Sequence, residues 1–446
     1  MHQHAATAPI TAAHDPRTLA DITGAHPGPT TIIFTGIHAN EPAGRIAAAN
    51  IAQQLDPLRP HIRGRIVALI GNLAATPLAV RFIDADLNRA FSLRPLHRDE
   101  DAVSILDRLI ETLPPDAHER TERDHLLQTI DDILANHDPR HEAHAIDLHT
   151  FSADGPPFVV FADTLRNRRF ATALPLPLVL GLVEEIQGTL SDLLSEAGLV
   201  SIVVEAGQHD DPEAPARLES ALRILLVRAG HIDPTHLPTL DEDRALLASA
   251  SKNHPRVLDI HHRYALPEDH RFIMRPGFRN LDPIRSNQHL ADDRDTPVPA
   301  PAFRATLIRG RPLILLPLYQ RQGSDGFFIA RPISRFWLAL SSFLRRVNAD
   351  RIAPLLPGVR RHPAFTDTLT VDRRIARFVA TEIFHLLGYR ITHRDQRSLI
   401  VARRSHDLKA PPSPRLKRTS PHESPGLHPT NTSQQSPAEY RRDFAD

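Results

Sequence analysis

The stretch Thr30-Thr-Ile-Ile-Phe-Thr-Gly36-Ile-His38-Ala-Asn-Glu41-Pro42 decides how this chain is read. Its β-branched, apolar run closed by Gly36 predicts a buried strand. Pro42 lacks an N–H and has a pre-set φ, so it suits the first turn of a helix predicted to run through Leu55. The same alternation continues outward. Residues 65–72 (RIVALIGN) predict a second buried strand, and 143–149 (AHAIDLH) and 157–161 (PFVVF) two more. Apolar residues at helical spacing mark segments 100–112 (Ile105, Leu109) and 120–135 (Leu126, Leu127, Ile130, Leu134). A helix at about 188–197 precedes the strongly apolar strand 199–207 (LVSIVVEAG), and another runs to about Ala229. Strands alternating with helices predict an α/β domain with a largely parallel sheet. In such sheets functional residues gather where strands end. His38, His149 and Glu205 each lie at or just after a predicted strand end.

The rest divides by composition. Residues 1–28 are expected to be loosely ordered, and 29–232 to form the main α/β domain. Residues 233–334 hold short apolar runs broken by Pro, Gly and Asp, which predicts a smaller β-rich C-terminal domain. Residues 335–405 add a helical and β extension, with a helix over 372–389 and a short strand pair ending near 404. Residues 406–446 are rich in Pro, Ser, Thr and charge and lack the apolar content that offsets chain ordering, so a disordered tail is expected.

Composition narrows the functional classes. The 446 residues balance 53 Lys+Arg against 53 Asp+Glu, so no basic field draws in nucleic acid or anionic lipid. Cysteine is absent, which excludes disulfides, thiolate metal ligands and a thiol nucleophile. The first residues show no secretion-type apolar run, and no segment reaches the roughly 20 apolar residues of a membrane-spanning helix. A cytoplasmic protein acting on a small molecule is expected, with neither nucleic acid nor membrane as partner. The oligomeric state stays open between monomer and homo-oligomer. The 27 histidines are scattered, so their number alone does not indicate a metal.

Position does. His38 and Glu41, three apart, can be aimed at one ion by a turn or helix start, and His149 adds a third donor from a distant strand end. Three protein ligands with one open position are what a catalytic zinc needs. Asp147 lies two residues before His149 on the same strand face, placed to accept a hydrogen bond from a ligating imidazole. Alone, H-x-x-E is more often a solvated pair on a helix. His141-Glu142-Ala-His144 is one residue too short for the H-E-x-x-H helix motif and reads as a polar loop before the strand. Arg81-Phe-Ile-Asp-Ala-Asp86-Leu-Asn88-Arg89 packs guanidiniums, an amide and carboxylates together; it reads either as a salt-bridged surface loop or as a carboxylate-recognising segment. Glu205 ends a very apolar strand: either solvated there, or a buried base with a raised pKa.

Gly36-Ile-His38-Ala-Asn-Glu41, Arg81 to Arg89, Asp147-Leu-His149-Thr and Glu205-Ala-Gly-Gln208, taken in order, resemble the succinylglutamate desuccinylase/aspartoacylase family of carboxypeptidase A-like zinc hydrolases. The resemblance spans about residues 30–230. Arg275-Pro-Gly-Phe, Leu316-Pro-Leu-Tyr-Gln and Gly326-Phe-Phe resemble the family's C-terminal β domain. The resemblance implies a mixed sheet flanked by helices and one zinc ion per subunit on His38, Glu41 and His149. It implies that Glu205 is the general base and proton shuttle, and that Arg81 polarises the scissile carbonyl. Asn88 and Arg89 would hold a substrate carboxylate, Asp86 would orient its neighbours, and Tyr319 would contact substrate from the second domain. Ala39 stands where the family's H-G-N-E motif has glycine. The implied activity is hydrolysis of the amide bond of a small N-acyl amino-acid-like substrate. The alternatives are a metallocarboxypeptidase acting on short peptides and a zinc-binding regulatory protein without catalysis.

Overall fold

The run Thr30–Thr35 is buried on both faces because it lies inside a ten-stranded sheet. The computed structural model describes residues 15–97, 100, 103–267, 269–303, 310–372, 375, 384–394, 397–411, 414 and 416. In chain order the first part comprises β1 (Thr18–Thr23), β2 (His26–Thr35), α1 (Pro42–Leu55), β3 (Arg63–Ile70), α2 (His118–Ala135), β4 (Ala143–Phe151), β5 (Phe158–Val160), α3 (Leu165–Ala171), β6 (Leu178–Leu180), α4 (Leu182–Glu185), α5 (Leu190–Glu196), β7 (Val200–Gln208) and α6 (Ala214–Ala229). Then follow α7 (Leu240–Ala250), β8 (Val257–Ala265), β9 (Phe272–Met274), β10 (His289–Asp293), β11 (Thr296–Pro299), β12 (Leu313–Leu315) and β13 (Asp325–Pro332).

The sheet runs β1-β3-β2-β4-β7-β5-β6-β8-β13-β12. Its centre, β3-β2-β4-β7, is parallel, whereas β1, the β7–β5 pairing and the β8-β13-β12 edge are antiparallel. The sheet is therefore mixed, flanked by helices on both faces. Strand periodicity sorts the core. Ile33, Ala68, Ile146, Leu148, Ile202 and Val204 pack with α1 and α6. Ile32, Phe34, Val67, Leu69 and Ala145 point the other way, onto α2 and α5. Asp147 and His149 alternate with Leu148, so they share the α2 and α5 side. The chain turns from β2 to β3 on one side and reaches β4 on the other, which opens a crevice at the strand carboxyl ends.

Several expectations need correction. Residues 1–14 lie outside the described residues, but 15–28 are packed. β1 pairs with β3, and the buried Arg17 guanidinium donates to the Ile70 carbonyl at 2.8 Å and to Glu122 Oε2 at 2.9 Å. No helix forms over the described part of 100–112; the apolar spacing there belongs to a 3-10 turn at Leu106–Arg108, after which Leu109 is extended. Residues 233–334 are β-rich, yet β8, β13 and β12 continue the main sheet, while β9, β10 and β11 form a separate one. The extension comprises α8 (Arg335–Arg346) and a sheet of β14 (Val359–Arg361), β15 (Thr368–Asp372), β16 (Tyr389–Arg394) and β17 (Ser398–Arg403), which includes the expected strand pair. Of the helix expected over 372–389, residues 373, 374 and 376–383 lie outside the described residues; Phe384–Leu386 are helical. Most of 412–446 is likewise outside. The start of the expected tail is not loose: Asp407 is buried against Arg345, and Leu416 is buried in the α2 and α5 cluster. Among the described residues no helix is long and apolar enough to cross a membrane.

Candidate metal centre and catalytic pocket

Local backbone geometry places the first pair of donors. Gly36 follows β2 with φ +60°, a left-handed turn that favours glycine and starts the short link to α1. A Cβ on Gly44 would stand 3.1 Å from Leu148 Cβ, so this glycine lets α1 press closely on β4. Glu41 occupies the N-cap position of α1, but its side chain makes no capping bond. It turns instead to the imidazoles. Glu41 Oε1 lies 2.9 Å from His38 Nδ1, and Oε2 lies 3.2 Å from His149 Nδ1 and accepts the Thr150 N–H at 2.8 Å. All three residues are buried, and one donor atom from each lies within 4.8 Å of the others.

The outer nitrogens have carboxylates beside them. Asp86 Oδ1 lies 3.2 Å from His38 Nε2, and Asp147 Oδ2 lies 3.0 Å from His149 Nε2, the latter out of line for a hydrogen bond. An imidazole with Nδ1 inward and a carboxylate behind Nε2 is oriented as a metal ligand. The charges agree. Burial would raise the Glu41 carboxyl, but His38 and His149 hold it well below the usual carboxylate range. Burial would lower His149, but Asp147 and Glu41 hold it well above the ordinary imidazole value. His38, Glu41 and His149 therefore form a group that fits a metal ion, with nitrogen and carboxylate donors of the kind zinc accepts. His144 is not part of it: it sits on β4 against Phe170, where burial pushes its imidazole down to about 3.

The segment from Arg81 to Arg89 is held from beneath by Glu119, in the first turn of α2. Its buried carboxylate accepts the Ile83, Asp84 and Ala85 N–H groups at 2.7, 3.1 and 3.2 Å. Asp86 then links three functions. Arg81 Nη2 donates to its Oδ2 at 3.1 Å, the Asn88 N–H donates to its Oδ1 at 2.9 Å, and the same Oδ1 faces His38. Burial opposes this charge, but Arg81, His38 and Arg89 keep the Asp86 carboxyl well below its usual range. Asn88 Oδ1 accepts the Leu190 N–H at 3.0 Å, which leaves its amide NH₂ to donate. Arg89 donates to the Asn88 carbonyl at 2.9 Å, Ser324 Oγ at 3.1 Å and Asp325 Oδ2 at 3.2 Å.

Glu205 stands opposite His149 in the β4–β7 register and opposite Phe158 in the β5–β7 register. Its Oε2 is buried without a hydrogen-bond partner. Burial pushes its carboxyl up to about 8, with His149 and Arg81 pulling the other way and Glu41 and Asp147 adding to the rise. A cavity of about 130 Å³ is lined by His38, Glu41, His149, Arg81, Asn88, Arg89 and Glu205.

Tyr319 is the exception among the residues singled out from the sequence. It is exposed and absent from the cavity wall, because its hydroxyl accepts the Phe278 N–H at 3.0 Å and donates to the Arg275 carbonyl at 2.8 Å. Its neighbours Leu318 and Gln320 line the cavity instead. Gln320 Oε1 lies 3.0 Å from His209 Nε2, and His209 Nδ1 lies 2.8 Å from Thr150 Oγ1. His209 follows the strand end that carries Glu205, a signal the sequence held. Asp325 gave none, since it meets Arg89 across 236 residues of chain.

Fold and site together define a mixed-sheet α/β protein with a buried two-histidine, one-glutamate centre at the carboxyl ends of its parallel strands. Residues 27–226 match the model of the succinylglutamate desuccinylase/aspartoacylase catalytic domain. That stretch of the chain is similar to the family's catalytic domain. No curated protein matches the sequence. Solved structures similar to the chain include a succinylglutamate desuccinylase/aspartoacylase from Rhodobacter sphaeroides (18% identity, 70% of this chain and 87% of that one, TM-score 0.48). They also include a succinylglutamate desuccinylase from Vibrio parahaemolyticus (17%, 72% and 93%, TM-score 0.45). A third is the product-bound ectoine utilization protein EutE (DoeB) from Ruegeria pomeroyi (18%, 70% and 87%, TM-score 0.45).

Proposed function

We propose that the chain is a zinc-dependent hydrolase that cleaves the amide bond of a small N-acyl amino acid, with His38, Glu41 and His149 as the zinc ligands. The observation that carries this reading is the buried donor group sharing one cavity with Glu205, whose Oε2 has no protein partner. When bound, a zinc ion there supplies a Lewis acid that acidifies water and polarises a carbonyl oxygen. The remaining steps belong to the chain. Glu205 Oε2 takes the proton of the attacking water and delivers it to the leaving amine nitrogen. A neighbouring cation lowers the pKa of this carboxyl and so favours the ionised form that a base needs. Arg81, held by Asp86, directs its guanidinium to the oxygen that becomes negative in the tetrahedral intermediate. The Asn88 amide and the Arg89 guanidinium hold the substrate carboxylate and fix its orientation. The substrate is thus a carboxylate-bearing small molecule, and the setting cytoplasmic.

The test is hydrolysis by the zinc-loaded protein of a panel of N-acyl amino acids set beside dipeptides. Acyl amino acids should be cleaved faster than dipeptides. Glu205→Gln should keep its zinc and lose ~100- to 10,000-fold in kcat. Faster dipeptide cleavage would assign a carboxypeptidase instead, and full activity in Glu205→Gln would reject the base.

A further inference from the structure

The proposed reaction leaves one side of the cavity without a role. Besides its charged and polar residues, the cavity has an apolar part, and that part is continuous. Val160, Val183 and Phe328 belong to one buried cluster, against which Ile186, Val203 and Leu316 pack. This wall begins beside the reaction centre. Val203 lies two residues before Glu205 on β7, so both point to the same face, about 7 Å apart along the strand. Val160 on β5 stands directly opposite Val203. The floor of the cavity therefore changes from carboxylate to aliphatic surface within one step of the strand.

The cations lining the cavity already face carboxylates of the chain, and Arg89 is in addition assigned the amino-acid carboxylate. Among the described residues lining it, Arg81 and Arg89 are the only arginines, and no lysine is present. Arg81 contacts Asp86 at 3.1 Å and Glu41 at 3.7 Å. Arg89 contacts Asp325 at 3.2 Å. The nearby Arg263 is also held by Asp325, at 2.5 Å, and by the Glu185 carbonyl. An acyl group that ended in a carboxylate would leave water for an aliphatic wall whose described residues carry no counter-ion.

We infer that the acyl group this chain removes is an uncharged aliphatic one, received by the wall of Val160, Val183, Ile186, Val203, Leu316 and Phe328. This rests on the deacylase reading above: with the amino-acid carboxylate at Asn88 and Arg89, the carbon chain on the other side of the scissile carbonyl meets that wall. Burial of each added methylene then favours the transition state, provided the chain fits.

The experiment compares N-acetyl, N-butyryl and N-succinyl derivatives of the same few L-amino acids on the zinc-loaded, full-length protein. Butyryl and succinyl differ at the chain end, a methyl in one and a carboxylate in the other. kcat/KM should rise about fourfold per methylene, hence roughly fifteenfold from acetyl to butyryl. It should be at least ~100-fold lower for succinyl than for butyryl. Ile186→Arg, which places a cation in the wall, should raise the succinyl-to-butyryl ratio at least ~10-fold. Should that variant fail to fold, the wild-type series decides by itself. Succinyl turnover equal to or above butyryl overturns the inference while leaving the deacylase reading intact. So does indifference to acyl length combined with a strong preference for apolar amino-acid side chains. Absence of turnover on every acyl amino acid, with zinc bound, removes the deacylase reading itself and this inference with it.

Discussion

Replacing Glu205 by glutamine in the metal-free protein should stabilise the fold as it removes catalysis, and the gain should grow with pH. Burial raises the Glu205 carboxyl from its ordinary 4.5 to about 8. A carboxyl whose folded-state pKa lies above its unfolded value binds its proton more tightly when folded. Its contribution is fully present below pH 4.5, declines as pH rises through the interval, and is lost above about 8. At pH 7 the unfolded chain has ionised this group while the folded chain still holds the proton. Two and a half pH units separate that point from the unfolded value, and at 1.36 kcal/mol per unit the cost is about 3 kcal/mol. Glutamine fills the same space and cannot ionise. Stabilities of chelator-treated wild type and Glu205→Gln, from urea titrations between pH 4.5 and 8, should therefore diverge by about 3 kcal/mol on going from pH 4.5 to 7. Comparing the change with pH, rather than the difference at one pH, cancels any fixed effect of the substitution. Zinc should narrow the gap, because a cation favours the charged carboxylate. Parallel stability curves for the two proteins across this range would refute the argument.

Two more predictions follow from charges elsewhere. In the metal-free protein Asp147 and Glu41 hold the His149 imidazole well above its ordinary value against the effect of burial, so zinc competes there with a proton; zinc affinity, measured by chelator competition, should fall on acidification, and a flat profile would reject the proton linkage. Asp163, with no exposed side-chain surface, pairs with Arg168, Arg345 and Arg390, so Asp163→Asn should lower stability by about 3–5 kcal/mol and depress Tm while zinc binding persists; a loss below about 1 kcal/mol would show that these guanidiniums find other partners.

The parts of the fold legible in the sequence are those where a local pattern and its tertiary use coincide. Thr30–Thr35 alternates into two different cores because a central strand is covered on both faces, and Pro42 starts α1 at the position its missing N–H favours. His38, Glu41, His149 and Glu205 were legible because strand ends collect chemistry, and adjacent parallel strands bring those ends together. Failures arose where a pattern had a second use. Ile105 and Leu109 have helical spacing, but they satisfy the core from a 3-10 turn and an extended segment. Tyr319 sits in a segment that lines the cavity, but its hydroxyl is bonded outward to Phe278 and Arg275. Residues 15–28 looked loose because β1 is a short edge strand, stabilised by pairing with β3 that no local pattern announces. Asp325 was invisible for the same reason: its role is defined by Arg89 and Arg263, both distant in sequence.

The extension after residue 334 gains a place in the argument from its ion pairs. Arg345 lies between Asp163 and Asp407, and Arg390 between Asp163 and Asp259, all buried. Arg404 reaches Glu184 at 3.4 Å and also contacts Asp192. Glu184 lies on α4, whose Leu182 and Val183, followed by Ile186, line the cavity, and Asp192 lies in the first turn of α5. The extension thus grips the short element that forms the aliphatic wall. A helix as short as α4 has few internal hydrogen bonds to fix it, so its position depends on what it packs against. Charged pairs of this kind add little net energy once desolvation is counted, but they are directional, and they penalise any arrangement that leaves a guanidinium buried alone. Their effect here is to specify where the wall stands relative to Val203 and Glu205. On this view the extension is part of the catalytic unit, and the shape of the proposed acyl-binding surface is set by two stretches distant in sequence: the strand that carries Glu205, and the extension whose Arg404 holds α4 against it.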